Sequence, residues 1–392
     1  MNIGQFRECC NKNFDLETCE NKVQDPRKRP VIPAGDVFRL VLEMPVLGQK
    51  SLLAVDEDAR VPAFRRSYGC TRESVASDTS IERVLKGMRS SQLRNFSYRI
   101  QDRLDEERLS EFRLSTGRRI RVGVLDGSTF GNFWANVLAA SGGVDSVVDL
   151  EPYRGRGHEL NAGRRLLKRA FEKLGSGYFN IVAADALYMD REDFRLCRAL
   201  GSHLLVKTEG GEALTVIKDA RSLFFPRDGK IRGEVRQSLG TDCVRQIDYE
   251  IRWAEGFSWN DLEYPLTVAH VREKHLKPVK GRPEEVEFWV VTTASGLEGA
   301  DLRELAHQRW HIENQVFKRL NALVGSKRCW SKKPEVFERL LRLWMLGMTL
   351  LAAWLFQRGW NLAEETWQTL KKTWGWVTRQ LRASLVAITP SG

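Results

Sequence analysis

The spacing of apolar and polar positions divides the chain into stretches of different texture. Through residues 1–115 apolar residues recur at helical intervals. Val37, Phe38 and Leu42 form an apolar run behind the proline-rich stretch 26–33. Ile81, Val84, Leu85 and Met88 follow Thr79 and Glu82, which have the spacing of a capping box. The charged segment 102–111 predicts a solvated helix end leading to a linker.

From residue 119 the period changes. Residues 119–126 read RIRVGVLD, a β-branched run that ends in Asp-Gly. Residues 137–140 and 144–150 are apolar and split by Ser141-Gly142-Gly143, which predicts a hairpin. A basic helix is expected over 160–174, then a short buried strand over 179–185 (FNIVAAD) that ends in a second aspartate. A helix over 191–200 and a strand over 203–207 follow. This order predicts an α/β sheet with mixed strand directions. Residues 244–253 and 264–273 alternate as antiparallel strands do, marking a β-rich insertion at 210–285. Residues 288–293 (FWVVTT) read as a core strand, and one long helix should run from 301 to 324. The remainder is helical and holds Trp344, Trp354, Trp360, Trp367, Trp374 and Trp376. No internal repeat is visible. The expected domains are therefore a helical region at 1–115, an α/β domain at 116–330 with its insertion, and a helical region at 331–392.

Composition narrows the partners. A chain of 392 residues suits two or three domains, and 42% hydrophobic residues suffice for real cores. The 62 Lys and Arg against 51 Asp and Glu leave a net charge of +11. A polyanion, most commonly nucleic acid, is the expected partner, and a merely solvated basic surface is the alternative. The seven cysteines are odd in number and irregular in spacing, so neither a zinc site nor a disulfide framework is supported. A reducing cytosol fits them. The N-terminus lacks the apolar core of a signal peptide. The apolar run 340–356 contains Arg342 and falls short of the roughly 20 residues of a membrane span, so it reads as a buried helix.

Candidate chemistry lies in three acids. Asp126 and Asp185 each stand where an apolar strand stops, and ligand sites in α/β sheets lie outside the carboxyl ends of strands. Two acids from neighbouring strands could share a divalent cation that favours hard oxygen ligands. Taken singly, each also suits a turn or a cap. Glu313 lies on the long helix beside the apolar stripe Leu305, Ile312, Val316 and Leu323. Arg309, four residues earlier, shares its face, which suits an ordinary ion pair as well as a site.

The blocks GVLDGSTF around Asp126, VAADALYMDRE around Asp185 and QRWHIENQVFKRL around Glu313 resemble the three signatures of DDE transposases from bacterial insertion sequences. The likeness is to the branch with the Tyr-Arg-Glu-Lys motif, and SDTSIERVL is similar to a helical N-terminal region of that branch. The resemblance implies a ribonuclease H-like core, and Asp126, Asp185 and Glu313 as catalytic residues holding two Mg²⁺ ions, with Mn²⁺ as a substitute. It implies metal-dependent DNA cleavage and strand transfer. The partners it implies are double-stranded DNA, both terminal repeats and target, and a second copy of the chain in the DNA complex. A cytoplasmic, bacterial protein at the nucleoid, with no membrane partner, is expected. The DNA-facing residues expected are Arg309, Trp310, Lys318 and Arg319, with Arg154 and Arg156 on the basic loop at 154–159. Glu159 on that loop is a candidate accessory acid. On an α-helix Lys318 and Arg319 point away from the Glu313 face.

The chain departs from the branch at two positions. Ala306 stands where the family has a Tyr, and Leu320 where it has a Lys. They favour the rival reading, a non-catalytic DNA-binding protein descended from a transposase, whereas the intact acids favour an enzyme. His307 and His311 have a metal-capable spacing but no evident third ligand, so they are expected to be structural. The phosphatase-like reading of Asp126-Gly127-Ser128 lacks the second aspartate that such a loop needs.

Overall fold

The computed structural model describes residues 1–386, apart from 26, 29, 31, 69–75, 156, 210–214, 230–232, 278–282, 329 and 361–366. Seven helices come first: α1 (Ile3–Phe14), α2 (Leu16–Asn21), α3 (Ala34–Leu47), α4 (Leu52–Ala59), α5 (Pro62–Ser67), α6 (Asp78–Gly87) and α7 (Ser90–Glu106). Strands β1 (Phe112–Arg113), β2 (Arg119–Ile120), β3 (Val122–Phe130), β4 (Phe133–Ser141) and β5 (Ser146–Tyr153) follow. Then come α8 (Glu159–Leu174), β6 (Ile181–Ala184), α9 (Arg191–Ala199), β7 (His203–Thr208) and α10 (Thr215–Phe224). Strands β8 (Arg236–Asp242), β9 (Ile247–Phe257), β10 (Leu266–His275) and β11 (Glu285–Thr292) lead to α11 (Gly299–His311), a π turn (Ile312–Lys318), α12 (Arg319–Val324), α13 (Pro334–Phe356) and α14 (Trp367–Val386). The fold is mixed α/β, as the sequence pattern implied.

The chain forms two compact units, and it crosses between them after Ser110, Asp126, Ala162 and His311. The first holds residues 1–110, 127–162 and 312–392. Its centre is α13, whose residues from Leu340 to Leu355 are all buried. By length and composition this helix could cross a membrane, yet it is packed inside the unit against α3, α7 and β5. Gly347 is where α3 comes closest: a Cβ there would lie 2.0 Å from the Leu42 carbonyl oxygen. That atom is backbone and cannot swing aside. Gly347→Ala is therefore expected to destabilise the protein by about 1–3 kcal/mol, as overpacked cores do, read as a lower midpoint in urea unfolding.

A second feature of this unit is a buried ion pair. Asp149 on β5 accepts hydrogen bonds from the Tyr98 hydroxyl and from Arg342 Nη1, both at 2.7 Å. Arg342 also donates to the Leu150 carbonyl at 2.8 Å and to Glu338 at 2.8 Å. The arginine that interrupts the apolar run thus has a defined partner. The hairpin expected around residues 141–143 is present, with β4 antiparallel to β5 and Trp134 opposite Tyr153.

The second unit holds residues 111–126 and 163–311. Its sheet has the order β3-β6-β7-β11-β10-β9-β8. The pairs β3–β6 and β6–β7 are parallel, and every pair from β7 outward is antiparallel. Mixed directions and an antiparallel insertion were both expected. Helix α11 packs across β6, β7 and the antiparallel strands. Beneath it, Glu273 on β10 is buried with His307 at 2.6 Å and Arg303 at 2.5 Å. Desolvation would raise this carboxyl, but its bonds to His307 and Arg303 outweigh that and hold it at about 2.

Two local expectations are revised. The N-cap of α6 is Ser77, whose hydroxyl accepts from the Ser80 amide at 3.3 Å, so the cap lies two residues ahead of Thr79. The helix expected over 301–324 is interrupted by the π turn, which side-chain periodicity does not reveal.

Candidate functional site

The second unit delivers the two aspartates side by side. In β3 and β6, Val122 pairs with Ile181, Gly123 with Val182 and Val124 with Ala183. Carried two residues further, this register sets Asp126 beside Asp185, on strands about 4.8 Å apart. Parallel strands in register put such a pair on one face of the sheet. Apolar residues fill β3 before Asp126 and all of β6 because both strands are buried on both faces. The sequence pattern stops the first strand at Asp126, but β3 runs on to Phe130, so Asp126 is a buried residue within the strand, 8% exposed, while Asp185 directly follows β6.

Asp185 keeps an extended backbone, and its carboxylate accepts from the Leu187 amide at 3.1 Å. It thereby caps the 3-10 turn Ala186–Tyr188. Buried Tyr188 then sits against α8, where a Cβ at Gly163 would lie 2.6 Å from the Tyr188 hydroxyl. A cap and a site ligand are thus compatible roles for one carboxylate with two oxygens.

Arg309, on the last turn of α11, places Nη1 3.7 Å from Asp126 Oδ2. Both side chains are largely covered, with exposures of 14% and 11%. Trp310 follows on the same turn and is half-buried. Sequence spacing offered Arg309 only Glu313 as a partner. The sheet supplies another.

The first unit holds the third acid. Glu313 is half-buried in the π turn, with exposed Lys318 at the end of that turn. A π turn closes i→i+5 bonds and advances less per residue, so residues five apart lie closer to one face than they do on an α-helix. Lys318 is therefore rotated toward the Glu313 face, where α geometry would have turned it away. Its ammonium donates to Asn314 Oδ1 at 2.6 Å. Arg319 is only 2% exposed and lies over the Trp374 ring at 4.7 Å. Burial lowers its guanidinium to about 10. Arg319 belongs to the core of this unit, as does Leu320. Ala306 is buried in the second unit.

On the basic loop, Arg154 is exposed and Arg156 lies outside the described residues. Glu159 occupies the space where Gly127 lacks a side chain: a Cβ there would be 2.2 Å from its Oε1. The Tyr153 hydroxyl donates to Glu159 at 3.1 Å, so this acid is held one residue beyond Asp126 along the chain. His307 is fully engaged with Glu273, and burial lowers its imidazole to about 4, so it is neutral and structural. The side chain of His311 lies outside the described ones.

Residues 135–350, more than half of the chain, match the transposase DDE domain. The chain belongs to that family. The match includes Asp185 and Glu313 and begins after Asp126, whose place rests on the strand register above. No curated protein matches the sequence. For a DDE transposase domain the donor chemistry of the aspartate pair is apt, since carboxylate oxygens are what a hard divalent cation takes. Among the described residues no group of three or more His, Cys, Asp or Glu side chains stands ready to hold a metal ion. That is compatible with Mg²⁺, which is commonly held by one or two carboxylates and substrate phosphates in place of an all-protein cage.

Sequence reasoning missed Lys207. It ends the apolar run of β7 and reads there as an ordinary solvent-facing residue, yet it is 8% exposed.

Proposed function

We propose that this member of the transposase DDE-domain family cuts DNA and joins the freed ends to a target, in the manner of the Tyr-Arg-Glu-Lys branch. The observation that carries the reading is the parallel β3–β6 register, which continued by two residues sets Asp126 beside Asp185, together with Arg309 3.7 Å from Asp126. Asp126, Asp185 and Glu313 would hold the divalent ions. Bound there, such ions supply an activated water or 3′-hydroxyl and a charge sink for the leaving oxygen.

The chain's own residues do the rest. The carboxylate pair sets where the scissile phosphate must lie. Arg309 presents a planar fork that binds two phosphate oxygens at once, and its seat beside Asp126 aims that fork at the same place. Lys318 offers an exposed point charge to the DNA end, a part that the family assigns to the position occupied here by Leu320. Exposed Arg154 would add a contact to the phosphate backbone, and half-buried Trp310 is the candidate for base contact that the family resemblance suggests. The net charge of +11 supports general affinity for DNA.

The test is nicking of a duplex that carries the DNA flanking the coding sequence, with and without Mg²⁺. Mg²⁺-dependent cuts at defined positions support the enzyme. Tight binding without cuts supports the non-catalytic reading. Arg309 gives a sharper check. As a purely structural partner of Asp126 it would tolerate Lys, which keeps the positive charge. As a phosphate clamp it should not, and Arg309→Lys is expected to slow strand transfer about a hundredfold at a near-parental melting temperature. Joining at close to the parental rate would reduce Arg309 to a structural residue.

A further inference from the structure

The carboxylate site leaves one buried cation unexplained. The pairing of β6 with β7 runs from Ile181–His203 to Ala184–Val206. One residue further, it sets Lys207 beside Asp185, in the row that Asp126 begins. Among the described residues the Lys207 ammonium has no hydrogen-bond partner. It lies instead 3.2 Å from the centre of the Trp310 ring and 3.8 Å from that of Phe288. Ring faces attract a cation, most strongly when it is desolvated. The charged groups facing it are Glu273 on β10, Arg303 and Arg309 on α11, and Glu209 just past β7. His307 touches both rings, 5.1 Å from Trp310 and 5.9 Å from Phe288.

An unpartnered buried ammonium is costly, and a methionine could fill the same space without charge. Burial lowers this lysine to about 7. What the amine gains in return is a hold on Trp310. Trp310 is the neighbour of Arg309, whose guanidinium reaches Asp126.

We propose that Lys207 is a positioning residue for DNA cleavage: its ammonium pins the Trp310 ring and so fixes the last turn of α11, from which Arg309 reaches Asp126. This rests on the reading of Asp126 and Arg309 as parts of the cleavage site. Lys207 touches the ring and acts through it, so substrate affinity should not depend on it.

The experiment compares the full-length parent with Lys207→Met, Lys207→Arg, Trp310→Leu and the Lys207→Met/Trp310→Leu double variant. The probe is the flanking-DNA duplex with Mg²⁺. Lys207→Met should melt at or above the parental temperature at pH 7, because it removes a buried charge. Its turnover should fall about tenfold or more, as expected for a misplaced reacting group, with duplex affinity within about twofold. Lys207→Arg should recover most of the rate, since a guanidinium also stacks on aromatic faces. The double variant should be no slower than the worse single variant, because both changes break one link. The Trp310 indole N–H resonance, assigned by its loss in Trp310→Leu, should move in Lys207→Met.

Parental turnover in Lys207→Met overturns the proposal, and so do multiplied losses in the double variant. A melting temperature well below the parent's makes Lys207 a plain core residue and overturns it too. Weaker DNA binding with a salt dependence reduced by about one unit would make Lys207 a phosphate contact and equally overturn it. A parent that binds the duplex and never nicks it refutes the proposed function instead, while the indole resonance still decides whether Lys207 holds Trp310.

Discussion

Asp185→Ala is expected to abolish nicking while leaving DNA binding intact, and Asp126→Ala to do the same. Charge stabilisation by ions held at such a pair is worth several kcal/mol at the transition state. At about 1.4 kcal/mol per tenfold, losing it slows cleavage roughly a thousandfold or more. Affinity comes mainly from Lys and Arg contacts to phosphates, so a gel shift on the same preparation should be unchanged or tighter. Asp185 also caps the turn at Ala186–Tyr188, so the alanine variant should lose about 1 kcal/mol of stability besides. Asp185→Asn keeps a capping oxygen and separates the two effects. It should melt like the parent and still fail to cut. Nicking retained in either Asp185 variant would dismiss the carboxylate assignment.

The largest effect on stability is expected from Asp149→Ala. The change removes the counter-charge at 2.7 Å from Arg342, which is 3% exposed, and the Tyr98 bond to that carboxylate. Breaking a buried pair from one side costs about 3–5 kcal/mol, because the surviving charge stays buried. The unfolding transition should drop by roughly 10 °C. Glu338, at 2.8 Å from Arg342 Nε, will soften the loss. The control is Asp149→Ala with Arg342→Met. If the unpaired charge is the cause, removing it should recover much of the stability. A double variant as unstable as the single one would show that the cost lies in the hole and the lost Tyr98 contact.

The strands that carry the acids were legible because burial writes itself into sequence. A strand covered on both faces is apolar over most of its length, so Val122–Leu125 and Ile181–Ala184 are conspicuous and the aspartates that follow them more so, although β3 itself continues past Asp126 to Phe130. The hairpin, the antiparallel insertion and the buried helix over 340–356, which begins earlier at Pro334, were readable for the same reason. Three features were not. The π turn leaves no periodic trace, since one additional residue per turn over seven residues is lost among ordinary irregularities. The neighbours of Arg309 and Lys207 come from strand register, which pairs residues far apart in the chain. The burial of Arg319 is hidden because a charged residue in a basic helical segment reads as solvated, whereas here the Trp374 ring covers it.

The dependence of α3 on α13 has a consequence for biosynthesis. A ribosome releases the chain in sequence order, so α3, with Val41, Leu42 and Met44, emerges well before α13. Their partner, including Gly347 against Leu42, is made only after nearly all of the intervening sequence. At about 5–20 residues per second that wait lasts on the order of tens of seconds. Closing so long a loop adds little to the equilibrium cost, which grows only with the logarithm of its length. The burden falls on time. For that interval the part of α3 that packs on α13 stays exposed, so slower synthesis at low temperature is expected to raise the yield of folded protein.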